Sequence, residues 1–201
     1  MKGSAAIFGI VFVLIVVAVI GLVVILNYNG LVVSEKNVDE AEAQIATVCQ
    51  RRLDLLPNLI ETVKGYAAHE KSTLVAVTEA RAKAQGALKA IQAKGSSQGA
   101  MAQVAATQAG LTTAMRGIFA LVENYPDLRA ASNFMALQDQ FEGTENRITV
   151  ARQRYNSAVR YYNAKIETFP GVVLAPMFGF SEKEYYEVPD QKAYEPVKVK
   201  F

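Results

Sequence analysis

The sequence predicts an all-α protein, in which an N-terminal transmembrane helix precedes an antiparallel, up-and-down bundle of long helices and a short irregular or strand-like C-terminal segment. Three observations predict this class. Residues 5–26 form an uninterrupted apolar run. From Val38 to Phe169, apolar residues recur at alternating spacings of three and four, as in helices that bury one face against near-parallel neighbours. Segments containing proline or glycine interrupt that pattern at intervals.

The first element is the apolar run, which follows a short tail of residues 1–4. Residues 5–26 carry no charged side chain, and as a helix they reach about 33 Å, enough to cross a hydrocarbon core of about 30 Å. A cleavable signal peptide has a shorter apolar region that ends at a small-x-small site, whereas this run ends in LNYNGLV. We therefore expect an uncleaved anchor with the lipid bilayer as its partner.

Charge around the anchor predicts its orientation weakly. Lys2 and the amino terminus lie on the short side, and only Lys36 lies within the first twenty residues of the long side. Because positive charge is enriched on the cytoplasmic side, this margin of one charge favours a cytoplasmic N-terminus and an extracytoplasmic bulk domain.

The second element is a helical bundle over residues 27–169, with four helices at about 31–55, 57–93, 99–124 and 127–169. Pro57 either separates the first two helices or only kinks one longer helix. KGSSQG (94–99) predicts a loop, and Tyr125-Pro126-Asp127 predicts a tight turn. The second and third helices are rich in alanine and glycine, which suits either self-association or close packing inside one bundle.

The third element is residues 170–201, an apolar loop followed by an extended tail. PGVVLAPMFGF (170–180) is too short to span a bilayer. Folded back, it would cover an open end of the bundle, which we favour; exposed, it would bind a partner or the lipid interface. At the end of the chain, Val197, Val199 and Phe201 alternate with lysines as in a short strand. A lone strand lacks a ladder, so we expect it to pair with another subunit.

Composition disfavours several classes of function. A net charge of +2 argues against a nucleic-acid-binding protein. One cysteine excludes an intrachain disulfide, and one histidine excludes a metal site that needs two. His69-Glu70 lacks the second histidine of a zinc-protease motif, since position 73 is Thr. Because the sequence lacks a credible nucleophile–base pair, it predicts that the protein is not an enzyme. We accordingly expect no catalytic residue, metal or cofactor.

Polar residues interrupt the apolar pattern around Pro57. Arg51, Arg52 and Asp54 predict a polar cluster there. Glu70 shares a predicted face with apolar residues and requires a partner, for which Arg52 and Arg81 are candidates. An ion pair that fixes the helix register is the favoured interpretation. The alternative is that the two arginines bind phosphate.

The run RRLDLLPNLIETVKGYAAHE (51–70) resembles the signature of the LemA family. The resemblance extends over about residues 1–182, through words such as ENYPDL (123–128), Arg154-Tyr155-Asn156 and Tyr162-Asn163. Glu42 and Cys49 depart from the usual family residues. The matching positions, together with Arg81, are the candidate structural or interaction residues: Arg51, Arg52, Asp54, Pro57, Asn58, Lys64, Tyr66, His69, Glu70 and Arg81.

The resemblance implies a single-pass protein of the bacterial inner membrane, with a helical-bundle domain and no established catalytic activity. A relative of the family is similar to proteins of magnetosome membrane formation. The family is often predicted to have a cytoplasmic bulk domain, which opposes the charge count given above.

Two functions follow as hypotheses. The first is a membrane-anchored, non-enzymatic scaffold that self-assembles as a homo-oligomer and organises or remodels membrane. The second is a membrane-tethered sensor or adaptor that binds an unidentified protein partner or a small ligand through the polar cluster near residues 51–70.

Overall fold

A computed structural model describes residues 2–94 and 99–187. These residues form six helices and no strand: α1 (Lys2–Ala67), α2 (Lys71–Lys94), α3 (Ala100–Val122), α4 (Pro126–Ala130), α5 (Ser132–Glu167) and α6 (Gly171–Met177). The predicted all-α helical bundle is therefore confirmed. The predicted assembly strand of Val197, Val199 and Phe201 lies outside the described residues.

The first helix differs from the prediction of separate helices at 31–55 and 57–93. Pro57 lies inside α1, which continues to Ala67, and the break falls at residues 68–70. A proline has no N–H, so the carbonyl of Leu53 loses its usual helical donor. Arg81 of α2 donates its Nε–H to that oxygen, with an N···O distance of 3.2 Å. The interruption in α1 is thus compensated by a neighbouring helix.

The N-terminal part of α1 is the one described segment long and apolar enough to cross a membrane, judged by length and composition. Its large apolar side chains from Ile10 to Leu26 are exposed apart from a half-buried Val24. A core helix of a water-soluble bundle would bury one face instead. This part of the helix therefore has the properties expected of an anchor.

The chain divides into two compact units. Among the described residues, unit 1 contains 2–40 and 157–183, and unit 2 contains 41–94, 99–156 and 184–187. Helices α1 and α5 each contribute to both units.

Unit 2 is built from antiparallel helix hairpins. Arg81 on α2 contacts Leu53 on α1, and a Cβ added at Gly117 on α3 would lie 3.8 Å from Thr73 on α2. In each pair, the two residues lie at similar distances along the chain from the end of one helix and the start of the next. This is the pattern of antiparallel neighbouring helices. The core of α3 and α5 follows the predicted spacing, with buried Val104, Leu111, Met115 and Ile118 on α3 and Phe134, Leu137, Phe141, Ile148 and Tyr155 on α5. On α1 the buried residues include Leu59 and Val63, which the spacing predicted, and Leu53 and Leu56, which it did not.

Unit 1 joins α1 beyond the apolar run to the end of α5 and to α6. Leu31 and Val38 of α1 are buried, as are Val159 and Tyr162 of α5. The Lys165 ammonium donates to the carbonyl of Gly30 at 3.0 Å. Residues 171–177, predicted as a loop, form the short helix α6 instead. That segment does fold back, since the rings of Phe178 and Tyr28 lie 5.0 Å apart.

Candidate polar recognition site

A buried arginine is the centre of the candidate site, which lies within unit 2. Arg52 of α1 is only 5% exposed. Its Nη2 donates to Thr112 Oγ1 on α3 and pairs with Glu145 Oε2 on α5, both at 3.0 Å. Burial of Arg52 in the helix seam is confirmed. A buried guanidinium requires such partners because removing its charge from water is costly.

Gln108 of α3 adds an unsatisfied polar group to the buried interior of unit 2. It is 3% exposed, and neither its amide nitrogen nor its amide oxygen finds a hydrogen-bond partner in the described part of the chain. Arg52 Nε, also buried, has the same status. A buried polar group without a partner costs about 1–3 kcal/mol. Gln108 Nε2, Gln108 Oε1 and Arg52 Nε are thus three buried polar atoms without a hydrogen-bond partner among the described residues.

Cys49 and Tyr186 share the electrostatic environment of Arg52. Both are buried. Burial raises the pKa of the Cys49 thiol to about 12, partly offset by the positive charge of Arg52. Burial also raises the pKa of Tyr186, and the charges of Cys49, Arg152, Arg52 and Glu145 contribute smaller effects of mixed sign. Both groups therefore remain neutral near pH 7, and the thiol is a poor nucleophile.

Glu70 does not form the predicted ion pair with Arg52 or Arg81. It is half-buried, and its Oε1 accepts a hydrogen bond from the Tyr125 hydroxyl at 3.1 Å. This bond is the main reason that the pKa of Tyr125 is raised. The prediction placed Glu70 within a long helix seam, but the chain turns at residues 68–70 and takes this side chain out of the seam. Glu70 therefore connects that turn to the residue preceding α4.

The remaining signature residues are dispersed over the surface of α1 and the turn after it. Arg51 and Asp54 are exposed while Arg52 is buried, so the predicted polar cluster is divided between surface and core. Asp54 accepts from Gln50 at 2.7 Å, and Lys64 pairs with Glu61 at 2.8 Å. The other exposed signature residues are Pro57, Asn58, Tyr66 and His69.

Two Tyr-Asn pairs hold the segment after α6, an arrangement that the apolar spacing did not predict. In unit 2, Tyr155 Oη donates to the Glu184 carbonyl at 2.9 Å, and the Asn156 side chain both donates to and accepts from the backbone of Tyr186. In unit 1, Tyr162 Oη donates to the Ser181 carbonyl, and Asn163 bonds both backbone groups of Lys183. We call these contacts the tail clasp.

The repeated Tyr-Asn word was the available signal for the tail clasp. Its two copies stand seven residues apart on α5, which places them on one helix face. Asparagine carries a donor and an acceptor that match one backbone amide and one carbonyl. The two Tyr-Asn pairs do not identify their partner, because they bond backbone groups, which every residue carries. The segment they hold could therefore not be predicted from the sequence.

The polar groups of the candidate site are hydrogen-bond donors and acceptors. Among residues 2–94 and 99–187, no group of three or more His, Cys, Asp or Glu side chains is placed to hold a metal ion. Arg52 and Gln108 instead provide a guanidinium and an amide in a buried setting. Such groups suit a carboxylate, an amide or another small polar group.

Comparison with known proteins gives one family and several distant relatives. The sequence model described as the LemA family matches residues 41–201. The chain is 24% identical over 199 residues to "Magnetosome protein MamQ 2" of Paramagnetospirillum magneticum, which covers 89% of this chain and 73% of the relative. It is also 24% identical over 168 residues to "Protein LemA" of Metamycoplasma hominis, which covers 83% of this chain and 72% of the relative.

Proposed function

The chain belongs to the LemA family and is a membrane-associated helical protein, and from this premise we propose that it is a non-enzymatic scaffold, anchored in the bacterial inner membrane by one helix, that self-assembles and organises or remodels the membrane. The observation that carries the proposal is the composition of α1. A single helix contains both the exposed apolar segment and buried core positions such as Leu53 and Leu56. No loop separates the anchor from the bundle residues of α1. In every copy that is anchored in one membrane, the bundle residues of α1 therefore begin at the same distance along the helix from the apolar segment.

Two further findings support this proposal. Relatives are named magnetosome proteins, which is consistent with a role at a membrane-bound compartment. The one thiol of the chain is buried and its pKa is raised, so it is unsuited to nucleophilic catalysis.

Self-assembly is tested by the mass of the full chain in detergent. We expect native mass spectrometry to find a homo-oligomer at micromolar concentration. A monomer at that concentration would contradict the scaffold proposal. A chain truncated after Val188 removes Val197, Val199 and Phe201, which we propose contribute an intersubunit strand. If the truncated chain forms the same oligomer, the scaffold proposal stands and the proposed intersubunit strand is rejected.

The side of the membrane that holds the bulk domain is a separate proposal. We propose an extracytoplasmic bulk domain, because the short side carries Lys2 and the amino terminus whereas the first twenty residues of the long side carry only Lys36. A protease that cleaves within residues 94–99 should then cut the chain in spheroplasts as well as in lysed cells. Cleavage in lysed cells alone would instead place the domain in the cytoplasm, as the family resemblance implies.

A second candidate function is recognition of a partner or small polar ligand by the Arg52 site. The observation that favours it is Gln108, whose buried amide is unpartnered within the described residues. A side chain retained at such a cost is expected to have a role that an apolar residue of similar size lacks.

This second candidate predicts opposite effects of one substitution on stability and on binding. Gln108→Leu should raise the free energy of unfolding by about 1–3 kcal/mol, because it removes an unpaired buried amide. It should also abolish any thermal shift that the full chain shows with a panel of small carboxylates and amides. Arg52→Ala should lose the same response, with the exposed neighbour variant Arg51→Ala as its control. A ligand response that survives Gln108→Leu would exclude this site.

A further inference from the structure

The short helix α6 has no polar face. Its sequence is GVVLAPM. One side, with Gly171, Leu174 and Ala175, is buried within unit 1. The other side presents Val172, Val173 and Met177 to the surroundings, and Met177 is 72% exposed. A helix on the surface of a water-soluble protein normally carries polar residues on its outer side, so a helix apolar on both sides needs a second apolar partner.

The exposed apolar surface extends beyond α6 at both ends. Phe169 precedes the helix and is 84% exposed, and Phe178 follows it and is also exposed. These two residues and Val172, Val173 and Met177 all lie within residues 169–178. We call this group of five exposed side chains the α6 patch. Large aromatic and aliphatic side chains without charges are typical of segments that enter the boundary between headgroups and acyl chains.

The position of the α6 patch identifies its partner. Tyr28, whose ring lies 5.0 Å from Phe178 and 5.8 Å from Phe180, stands only two residues beyond the end of the apolar run at Leu26. A cleft of 310 Å³ is lined on one side by Leu26 and Asn27 and on the other by Pro170 and Gly171. Within unit 1, α6 therefore lies beside the last turn of the anchor segment, where a spanning helix leaves the hydrocarbon.

We infer that the α6 patch is a second membrane-binding element, which inserts into the headgroup and acyl-chain boundary of the same bilayer that holds the anchor. This inference rests on the proposed anchoring of α1. The seven-residue helix is about 10 Å long and cannot span, so it binds along the surface. A bilayer contacted both by α1 and by α6 restrains unit 1 against rotation about the anchor axis, because two separated contacts fix an orientation that one helix leaves free.

The test uses the absence of tryptophan from the chain, which makes any introduced tryptophan a single fluorescent reporter. The full chain is reconstituted in phosphatidylcholine vesicles whose acyl chains carry bromine near the headgroup end. Reporters in the α6 patch are Phe169→Trp and Met177→Trp. Leu22→Trp reports the anchor at about 6 Å inside Leu26, and Val33→Trp reports an exposed site on α1 that lies about 10 Å beyond Leu26.

We expect bromine to reduce the fluorescence of Phe169→Trp and Met177→Trp about twofold or more relative to unbrominated vesicles, and to leave Val33→Trp nearly unchanged. Quenching of Leu22→Trp alone would overturn the role of α6 and preserve the anchor. No quenching of Leu22→Trp would reject the anchor itself, and the proposed function with it.

A charged variant tests whether the insertion depends on the apolar side chains of the α6 patch. In the Phe169→Trp protein, adding Val173→Glu should restore most of the quenched fluorescence, since a carboxylate is disfavoured at that depth. Adding Val33→Glu as the matched control should leave the quenching unchanged. Equal effects of the two glutamates would overturn the inference.

Discussion

Cys49 is a buried thiol that reports the integrity of unit 2. Burial raises its pKa to about 12, from 9.0 when solvated. We expect iodoacetamide not to label the folded chain at pH 8 and to label it rapidly in urea, since the thiolate is the reactive species. The control is a Cys49→Ala chain with Val75→Cys, an exposed position on α2, which should react in both conditions. Equal labelling of Cys49 with and without urea would contradict the buried environment.

The same pKa predicts how stability depends on pH. In the unfolded chain the thiol ionises as pH rises through about 9, whereas in the folded chain it stays protonated until about 12. Unfolding then releases a proton, so this group lowers stability by about 1.4 kcal/mol per pH unit within that window. We expect the free energy of unfolding, measured with denaturant, to fall less steeply with rising pH for Cys49→Ala than for the wild type. Parallel curves would show that the thiol does not titrate differently on folding.

The sequence predicted the location of Arg52 better than its contacts. Its place in the apolar spacing of α1 predicted burial, and the structure confirms it. Its partners Thr112 and Glu145 lie 60 or more residues away and could not be selected from many similar polar residues. Local periodicity determines which face of a helix is buried, but pairing across helices depends on rotation and register that periodicity leaves open.

At the scale of elements, the hydrogen bond from Arg81 to the Leu53 carbonyl, which replaces the N–H missing at Pro57, joins α1 to α2. Arg81→Ala should lower the free energy of unfolding by about 1.5–3 kcal/mol, because the Leu53 carbonyl then loses the donor that replaces the missing proline N–H. In a Pro57→Ala background, the restored backbone N–H should reduce this cost to below about 1 kcal/mol. Chemical denaturation of the wild type, the two single variants and the double variant measures the coupling between Arg81 and Pro57. Additive effects would show that Arg81 does not compensate for Pro57.

Gly171 begins α6 at a point where the backbone is closely packed. A Cβ placed there would overlap the backbone oxygen of Lys165. Gly171→Ala should therefore displace α6 and lower the melting temperature of the full chain in detergent. The matched control is Gly110→Ala in α3, where a Cβ meets nothing within 4 Å. That variant should gain up to about 1 kcal/mol, since glycine is a poor residue in a helix interior. Similar melting temperatures for both variants would contradict the close approach.

Elements with a strong period were predicted more reliably than those defined by tertiary contacts. The seam of α5 from Phe134 to Tyr162 follows from heptad spacing. Pro57 left two possibilities because a proline in a helix is tolerated only when other groups satisfy the exposed carbonyl. Residues 170–180 were predicted as a loop from their prolines and glycines, yet Pro170 directly precedes α6, a place where proline is compatible with a helix, and residues 171–177 are helical.

For the whole molecule, the apolar part of α1 should determine where the chain resides. A chain lacking residues 5–26 should move from the membrane pellet to the supernatant after a carbonate wash, while the full chain should stay in the pellet. Immunoblotting of the two fractions measures this. If the shortened chain is retained by the α6 patch, a further Val173→Glu substitution should release it. Retention of that double variant would show that neither segment accounts for membrane association.

The tail clasp has a consequence for biosynthesis. Tyr186, near the C-terminus, is buried in unit 2 and bonded through its backbone to Asn156. The apolar segment at residues 5–26 is translated about 160 residues before Tyr186, so under the proposed anchoring its insertion can begin before the contacts of Tyr186 exist. On that proposal, unit 2 of a nascent chain stays incomplete at the bilayer until Tyr186 has been synthesised.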